Sequence, residues 1–271
     1  MSRHNKHTAL WIGIGVFTVL VCLFIYVFVV RSMQPARPTN SDFSEISVPQ
    51  GFNVSLYAEN ISNATTIAWS SYDVAYVGTT QGTVYAARDF NHDGFADKLL
   101  LIAQFDAPVV VSYLNKVLYL ASGSNIYKIS DIDRHTGLPP KPKLVANLSE
   151  KREIVFIHAL NADDVIATLA DGSSVSVSAN GTETPYQLTN KDPNVGTRYY
   201  TANNETIPSQ YNNAIFAFNN NKILAANQTF ASGWEKLSSK SRLTDIEETS
   251  TGTLLVADAG IGTIYKIDYV G

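Results

Sequence analysis

A repeated pattern of four short strands predicts an all-β fold of the β-propeller class. Three observations favour this fold. From Val48 onward, short apolar and β-branched runs alternate with turns rich in Gly, Asn, Asp and Ser, and helical periodicity is nearly absent. The pattern recurs five times, roughly every 45 residues, which is typical of propeller blades. The fifth copy lacks an outer strand, whereas one unassigned strand, Phe52–Ala58, precedes the first copy.

Pairing of the first strand with the last copy would close the ring and leave no free sheet edge. The sequence therefore predicts a five-bladed β-propeller. A six-bladed ring is the alternative, but it needs a further unit in residues 190–210, which are polar and poorly patterned. A β-sandwich of similar strand count is a second alternative.

The N-terminal segment predicts a membrane anchor. Residues 9–30 are almost uninterrupted apolar sequence, long enough to cross a hydrocarbon core of about 30 Å as a helix. No small-residue cleavage site follows, so a transmembrane signal-anchor is favoured over a cleaved signal. Residues 1–8 then form a cytoplasmic tail, residues 31–47 a flexible stalk rich in Pro, Ser, Thr and Asn, and residues 48–271 the propeller outside the cytoplasm.

Each predicted blade begins with an apolar strand and ends with a more polar outer strand. The predicted strands are, for blade 1, Thr66–Trp69, Val74–Gly78, Thr83–Ala87 and Lys98–Ala103; for blade 2, Pro108–Ser112, Lys116–Ala121, Asn125–Ile129 and Lys143–Ala146; for blade 3, Ile154–Leu160, Asp164–Leu169, Ser173–Ser178 and Pro185–Leu188; for blade 4, Asn213–Phe218, Lys222–Ala226, Thr229–Ala231 and Glu235–Leu237; and for blade 5, Leu243–Glu247, Thr253–Ala257, Thr263–Ile267 and the returning Phe52–Ala58. Trp69, Trp234 and the many tyrosines fit packing between blades, and stacking of Trp234 on a sugar is the alternative for that residue.

Charge and cysteine content exclude some functions. The net charge is −4 and no basic stripe occurs, so nucleic-acid binding has no electrostatic support. The single cysteine, Cys22, lies in the apolar N-terminal run, so the predicted propeller has no internal disulfide.

One loop carries the side chains of a candidate calcium site. Oxygen-bearing groups recur at Asp89, Asn91, Asp93, the carbonyl of Phe95 and Asp97, with Gly94 at the turn. This spacing matches the early positions of a calcium-binding loop. Leu100 stands at the position where a bidentate Glu completes an EF-hand, so the loop supplies only part of a site. An Asp/Asn-rich turn whose side chains bond their own amides is the alternative.

Both ends of the predicted propeller resemble one family. The opening run from Val48 to Glu59, the first blade with the loop of residues 89–97, the run from Ile126 to Asp133, and the final segment from Arg242 resemble the glucose/sorbosone dehydrogenases. These are β-propeller quinoproteins that oxidise aldose sugars with pyrroloquinoline quinone (PQQ). The resemblance covers roughly residues 48–140 and 242–271, and it implies a propeller fold, with PQQ and calcium as the cofactors to consider.

The middle of the chain departs from that family. The resemblance implies a His-Gly motif at the start of the third blade, where the histidine acts as the base in sugar oxidation. Here the run from Glu150 to His158 contains no His-Gly, and His158 falls inside the strand as a weak candidate base. Arg242 matches an arginine near the cofactor, whereas Thr244 stands where some members have a basic residue, and one arginine does not balance a tricarboxylate.

Two functions follow as competing expectations. The first is a membrane-tethered propeller without the usual catalytic histidine that binds a glycan, sugar or protein ligand outside the cell. The second is an active quinoprotein oxidoreductase acting on aldose sugars. Because propellers host many functions, the fold alone does not decide between them.

Overall fold

The protein is described by a computed structural model. The described residues are 43–134, 140–161, 163–189, 197–199, 211, 214–219 and 221–271, together with positions 19 and 21. The chain divides into two compact units, Met1–Thr39 and Asn40–Gly271. Of the predicted anchor, residues 9–30, only Val19 and Val21 are described, and the prediction otherwise lies outside the described residues. Over the described positions, no helix has the length and apolar character needed to cross a membrane.

The described part of the second unit is built almost entirely from β-strands. In chain order the strands are β1 (Phe52–Ala58), β2 (Ala64–Trp69), β3 (Val74–Thr79), β4 (Thr83–Arg88), β5 (Lys98–Gln104), β6 (Val109–Leu114), β7 (Val117–Ser122), β8 (Asn125–Ile129), β9 (Lys143–Asn147), β10 (Ile154–Ala159), β11 (Asp164–Leu169), β12 (Ser174–Ser178), β13 (Glu183–Tyr186), β14 (Thr197–Tyr199), β15 (Ile215–Asn219), β16 (Lys222–Ala225), β17 (Gln228–Ala231), β18 (Leu243–Glu248), β19 (Leu254–Asp258) and β20 (Thr263–Tyr269). One short helix, α1 (Trp234–Leu237), and two 3₁₀ turns, Ile132–Arg134 and Ser149–Lys151, complete the described elements.

These strands form five four-stranded antiparallel sheets, so the predicted five-bladed β-propeller is confirmed over the described residues. Blade 1 has the strand order β2-β3-β4-β5, blade 2 β6-β7-β8-β9, blade 3 β10-β11-β12-β13 and blade 4 β14-β15-β16-β17. Blade 5 has the order β18-β19-β20-β1, so the first strand of the propeller is the outer strand of the last blade. Phe52 pairs with Tyr269 and Leu56 with Tyr265, and a register shift between Leu56 and Ala58 interrupts the ladder near Tyr57.

Buried apolar side chains lie between blades. One cluster joins Ile67 and Val77 of blade 1 to Leu255 and Ile264 of blade 5. Three further clusters of described residues join blades 1 and 2, blades 2 and 3, and blades 4 and 5. The apolar faces that alternate along each strand are therefore buried against the neighbouring blade, which is how a ring of small sheets acquires a core.

Side-chain oxygens on the inner strands tie neighbouring blades together. Asp245 Oδ2 on β18 accepts the N–H of Ile67 at 2.7 Å. Thr66 Oγ1 on β2 accepts the N–H of Val111 at 2.7 Å. Ser112 Oγ on β6 accepts the N–H of Ala159 at 3.0 Å. The first, second and third blades are thus joined to their neighbours by buried hydrogen bonds of one kind, whose loss would leave a buried amide unpaired.

In the region of the fourth blade, two features differ from the sequence prediction. The fourth blade begins with β14 (Thr197–Tyr199), so the run predicted as its first strand is its second strand, β15. Glu235–Leu237, predicted as a strand, lies in helix α1, because Gly233 at φ +112° turns the chain after β17 and the outer position is already taken.

The predicted stalk also ends earlier than residue 47. Ile46 is buried, and Ser47 exchanges two backbone hydrogen bonds with Ser232, at 2.8 and 3.1 Å. The ring of Phe43 contacts that of Tyr265, with 5.4 Å between centroids. Residues 43–47 therefore belong to the packed propeller, whereas residues 31–42 of the predicted stalk lie outside the described residues.

The propeller has two ends, which we name after residues that lie on them. The Asp73 end carries the connection β2–β3, the loop of residues 89–97 between β4 and β5, and the connection β18–β19 with Thr249–Thr253. The Arg242 end carries the connections β1–β2, β3–β4 and β19–β20 and the residue that precedes β18. Because consecutive strands are antiparallel, these two sets of connections lie at opposite ends of the blades.

Candidate functional site

A cleft of about 290 Å³ opens at the Asp73 end, between blades 1 and 5. Blade 1 contributes Trp69 at the end of β2, Asp73 from the following turn, and Asp89 and Asp93 from the loop after β4. The cleft exists because the ring closes between these two blades, which brings residues from the beginning and the end of the propeller sequence to one place.

A chain of polar groups lines the blade 5 side of the cleft. Lys266 on β20 forms an ion pair with Asp268, with 3.0 Å between Nζ and Oδ2. Thr253 Oγ1 donates to the other carboxylate oxygen of Asp268 at 2.6 Å. The hydroxyls of Thr249 and Thr251 continue this wall, 3.0 Å from each other. The ammonium of Lys266 is thus held by a carboxylate of its own strand.

Two aromatic rings, of Trp69 and Tyr57, also line the cleft. The rings meet edge to face, with centroids 5.9 Å apart, and the Tyr57 hydroxyl donates to the carbonyl oxygen of Ala87 at 3.2 Å. Burial, followed by the negative charges of Asp89 and Asp73, raises the pKa of Tyr57 well above its usual range. The indole N–H of Trp69 is buried and has no hydrogen-bond partner. An unpaired buried donor is costly, which makes this nitrogen a natural contact for an acceptor atom of a ligand.

The predicted calcium loop folds around its own amides. Asp97 Oδ2 accepts the N–H groups of Phe90 and Asn91, at 2.7 and 3.1 Å. Asp89 Oδ2 accepts the N–H of Gly94 at 2.7 Å, and Asp93 Oδ1 accepts that of Phe95 at 2.9 Å. Gly94 has φ +87°, a left-handed conformation that glycine adopts without strain. The structure therefore brings the predicted residues together as a turn stabilised by side chains.

This arrangement supports only part of the calcium prediction. Carboxylate and amide oxygens are ligands that calcium prefers. However, among the described residues no three carboxylate, histidine or cysteine side chains converge as a metal site. The loop is chemically suited to a hard cation, and its oxygens would have to exchange amide contacts for metal contacts to bind one.

The weak candidate base, His158, lies elsewhere in the ring. It is half-buried on the inner strand of blade 3, where it pairs in register with Ile166 of β11. It does not line the cleft between blades 1 and 5. The structure therefore does not bring His158 together with the acidic loop.

Arg242, the candidate cofactor-binding residue, lies at the other end of the propeller. Its side chain is exposed, and its backbone N–H donates to Asp258 Oδ1 at 2.8 Å. Asp258, which is fully buried, also accepts the hydroxyl of Ser241 and the N–H of Gly260. This network fixes the turn before β18, so the backbone of Arg242 stabilises that turn. Arg242 does not line the cleft.

Trp234 packs in the core. It is fully buried in the cluster between blades 4 and 5, where its ring centroid lies 6.0 Å from that of Tyr265. The prediction of inter-blade packing is confirmed, and the alternative of sugar stacking at the propeller mouth is wrong for this residue.

Sequence reasoning did not identify Tyr57, Asp73 and Lys266 as site residues. Tyr57 and Lys266 lie on paired strands, yet they are more than 200 residues from each other in the chain. The available signal was the predicted pairing of the first strand with the last blade, which places the side chains of both strands beside the acidic loop.

Comparison with solved structures places this fold among known propellers. No protein-family model matches the sequence, and no curated protein matches it. The structure resembles the PQQ domain of a pyranose dehydrogenase from Coprinopsis cinerea, with a TM-score of 0.55, 8% identity, and coverage of 87% of this chain and 99% of that one. It also resembles the soluble aldose sugar dehydrogenase of Escherichia coli in its apo form, with a TM-score of 0.55, 9% identity, and coverage of 80% and 99%.

A third similar structure is a calcium structure of a Trichoderma reesei carbohydrate-active enzyme of family AA12, with a TM-score of 0.52, 8% identity, and coverage of 86% of this chain and 99% of that one. At these identities the similarity concerns the fold. The comparisons therefore support the β-propeller fold, which is also the fold that the resemblance of the two ends of the chain implies.

Proposed function

We propose that this protein is a membrane-anchored propeller, exposed outside the cytoplasm, that binds a ligand in the cleft between blades 1 and 5. The observation that carries the proposal is the cleft itself, which is lined by carboxylates, hydroxyls and Trp69, whose buried indole N–H has no partner among the described residues. Native proteins leave few buried polar groups unpaired, and a ligand that supplies an acceptor is one way to satisfy such a group. The ligand is a sugar, a glycan or a protein segment that inserts a side chain.

The anchor is proposed from the apolar run of residues 9–30. A single-cysteine labelling experiment tests its orientation. Ser250→Cys places a thiol on an exposed turn of the Asp73 end, and Ser2→Cys places one in the predicted cytoplasmic tail, each in a Cys22→Ser background. A membrane-impermeant maleimide added to intact cells should label only the Ser250→Cys protein. Labelling of only the Ser2→Cys protein would reverse the orientation.

Ligand binding is tested with the full-length protein in lipid nanodiscs. Sugars, oligosaccharides, amines and short peptides are screened for a rise in melting temperature, because a ligand that binds only the folded state stabilises it. The rise should be reduced in Trp69→Phe, which keeps an aromatic ring but removes the unpaired N–H. If the melting temperature of Trp69→Phe and of Asp73→Asn rises as much as that of the unsubstituted protein, the ligand binds elsewhere. No rise with any class would end the binding proposal.

Calcium is proposed as a ligand of the loop of residues 89–97. The oxygen chemistry of the loop supports this proposal, and one similar propeller has been solved as a calcium structure. PQQ does not fit the cleft. Its lining carries three carboxylates, of Asp73, Asp89 and Asp93, against His92 and a lysine that is already paired, so the cofactor's carboxylates would meet an excess of negative charge.

A quinone-dependent oxidoreductase is the second candidate, because the similar structures include sugar dehydrogenases, one of them described as a PQQ domain. Its site would have to lie away from the cleft, and exposed Arg242 is the described residue that the family resemblance assigns to it. Titration of the full-length protein with PQQ, followed by the quenching of tryptophan fluorescence, tests this candidate. Saturable quenching that Arg242→Gln weakens would favour it, and absence of binding would remove it.

A further inference from the structure

Two carboxylates of the cleft form no ion pair with a described residue, and the other side chains of its lining that can carry charge near neutral pH are Asp93, His92 and Lys266. Asp73 and Asp89 both line it, and neither forms an ion pair within the described part of the chain. The one lysine in the wall, Lys266, directs its ammonium to Asp268. A positively charged group entering the cleft would therefore meet an excess of negative charge.

The aromatic groups of the cleft suit the same kind of ligand. The partly exposed Trp69 lines the cleft beside these carboxylates, and the buried ring of Tyr57 supports it edge to face. Aromatic faces attract organic cations, and the attraction is largest where water is displaced. Carboxylates supply charge-assisted hydrogen bonds to an ammonium. The unpaired N–H of Trp69 is a hydrogen-bond donor, so it would be satisfied by a ligand that carries an acceptor atom. A bare inorganic cation has no such atom.

We infer that the cleft binds a small organic ammonium compound that also carries hydroxyl groups, such as an amino sugar. This inference rests on the proposed function and specifies its ligand. The ammonium lies against Asp73 and Asp89, and a hydroxyl oxygen accepts the indole N–H of Trp69. The hydroxyls of Thr249 and Thr251 on the opposite wall can serve further ligand hydroxyls. A cleft of about 290 Å³ has room for a molecule of monosaccharide size.

Matched ligands that differ only in charge test the inference. Glucosamine and glucose differ in an ammonium and a hydroxyl at one carbon. Choline and 3,3-dimethylbutan-1-ol differ in a quaternary nitrogen and a carbon. Binding of each to the full-length protein in nanodiscs is measured by calorimetry at pH 6.5, where glucosamine is charged, with EDTA present to remove competing calcium. Glucosamine should bind about ten-fold more tightly than glucose, as expected for one charge-assisted contact together with a cation–π contact.

A variant that preserves the fold tests whether Asp73 binds the ammonium group. Asp73 has φ +57°, a conformation that asparagine also adopts readily, so Asp73→Asn removes the charge with little strain. It should weaken glucosamine binding about ten-fold and leave glucose binding unchanged. Asp163→Asn, at an exposed position of blade 3, is the matched control and should change neither.

The outcomes separate the inference from the proposed function. Equal affinity for both members of each pair, with binding still weakened by Trp69→Phe, overturns the ammonium preference and leaves the cleft as a ligand site. Tighter binding of glucosamine that Asp73→Asn does not alter places the cation elsewhere and overturns the inference. If neither amine binds while another class in the screen does so at the cleft, the ligand class is wrong. If nothing binds there, both proposals fail.

Discussion

Two neighbouring junctions of the ring place similar groups at the same end of the propeller and use them differently. Between blades 1 and 2, the hydroxyl of Tyr113 donates to Asp133 and lies 2.9 Å from Ser71 Oγ, and its ring stacks on that of Tyr76 with centroids 6.1 Å apart. Tyr113 and Asp133 both belong to blade 2, and Ser71 and Tyr76 of blade 1 pack against the tyrosine, so the space between the two blades is filled. The other oxygen of Asp133, Oδ1, is buried without a hydrogen-bond partner among the described residues.

Between blades 5 and 1, the tyrosine contacts the backbone instead. The hydroxyl of Tyr57 donates to the carbonyl of Ala87, and the carboxylates of Asp73 and Asp89 are left facing a cleft. The comparison shows how one ring can hold a structural contact at one junction and a candidate binding site at the next. The direction in which a single hydroxyl donates distinguishes the two junctions.

The largest expected effect is a stability difference between two matched variants. Tyr113→Phe removes a hydrogen bond to a charged, partly buried carboxylate and should lower the free energy of unfolding by about 2 kcal/mol. Tyr57→Phe removes a longer bond to a neutral carbonyl and should lower it by about 0.5–1 kcal/mol. Urea unfolding followed by tryptophan fluorescence measures both. Equal losses of stability, or a larger loss in Tyr57→Phe, would contradict the conclusion that the hydrogen bond of Tyr113 stabilises the junction between blades 1 and 2.

Alkaline pH should sharpen the comparison. Burial raises the pKa of Tyr57 and of Tyr113, with further contributions from the charges of Asp89 and Asp73 at the first and from the hydrogen bond to Asp133 at the second. A raised pKa in the folded state means that the neutral form is favoured by folding. The resulting stability is complete below pH ~10, the unfolded value, and is lost as the pH rises toward the folded value.

The free energy of unfolding should therefore fall above pH 10, by up to about 1.4 kcal/mol per pH unit for each such tyrosine. Tyr57→Phe should reduce this slope by the contribution of one tyrosine, which is at most about 1.4 kcal/mol per pH unit. Urea titrations at pH 7 and at several values above pH 10 separate the slope from the constant loss of the hydrogen bond. An unchanged slope in Tyr57→Phe would mean that the Tyr57 hydroxyl is not protected from ionisation in the folded protein.

The sequence predicted some blades better than others for a physical reason. Blades 1, 2 and 5 have β-branched strands bounded by Gly or Asn turns, so their strands were located to within about two residues at each end. Blade 4 begins with β14, only three residues long, in a polar stretch that gives no periodic signal. The prediction therefore started this blade one strand too late and assigned a strand to the helical run Glu235–Leu237.

The candidate site was only half predictable. The loop of residues 89–97 is local in sequence, and its spacing of oxygen-bearing side chains is visible without a structure. The remaining wall requires the ring closure and also the register of β1 on β20. Trp69 was interpreted as packing, which the contact with Tyr57 confirms, but its unpaired N–H depends on distances between blades that no sequence pattern records.

A smaller effect on stability is expected at Gly94, the residue of the loop of residues 89–97 that lies close to Lys266 on the blade 5 side of the cleft. A Cβ at Gly94 would lie 2.7 Å from Lys266 Nζ, whereas a Cβ at Gly172, on a blade 3 turn with nearly the same φ, would meet nothing within 4 Å. Gly172→Ala should lower the free energy of unfolding by about 1 kcal/mol through backbone strain alone. Gly94→Ala should cost a few tenths of a kcal/mol more, because Lys266 must partly leave Asp268. Thermal unfolding of both variants measures the difference, and a smaller loss in Gly94→Ala would show that Lys266 does not rest against the loop.

The smallest effect concerns calcium at the same loop. The oxygens of Asp89, Asp93 and Asp97 already accept backbone amides, so binding must replace those contacts and the net gain should be small. At millimolar calcium we expect a gain below about 1 kcal/mol, a rise in melting temperature of about 2–3 °C. Asp93→Ala should abolish the rise, and magnesium at equal ionic strength, which demands a tighter octahedral geometry, should not reproduce it. An equal rise with both ions, or one that persists in Asp93→Ala, would mean that the loop is a self-bonded turn, and the difference between the two junctions would then rest on the cleft alone.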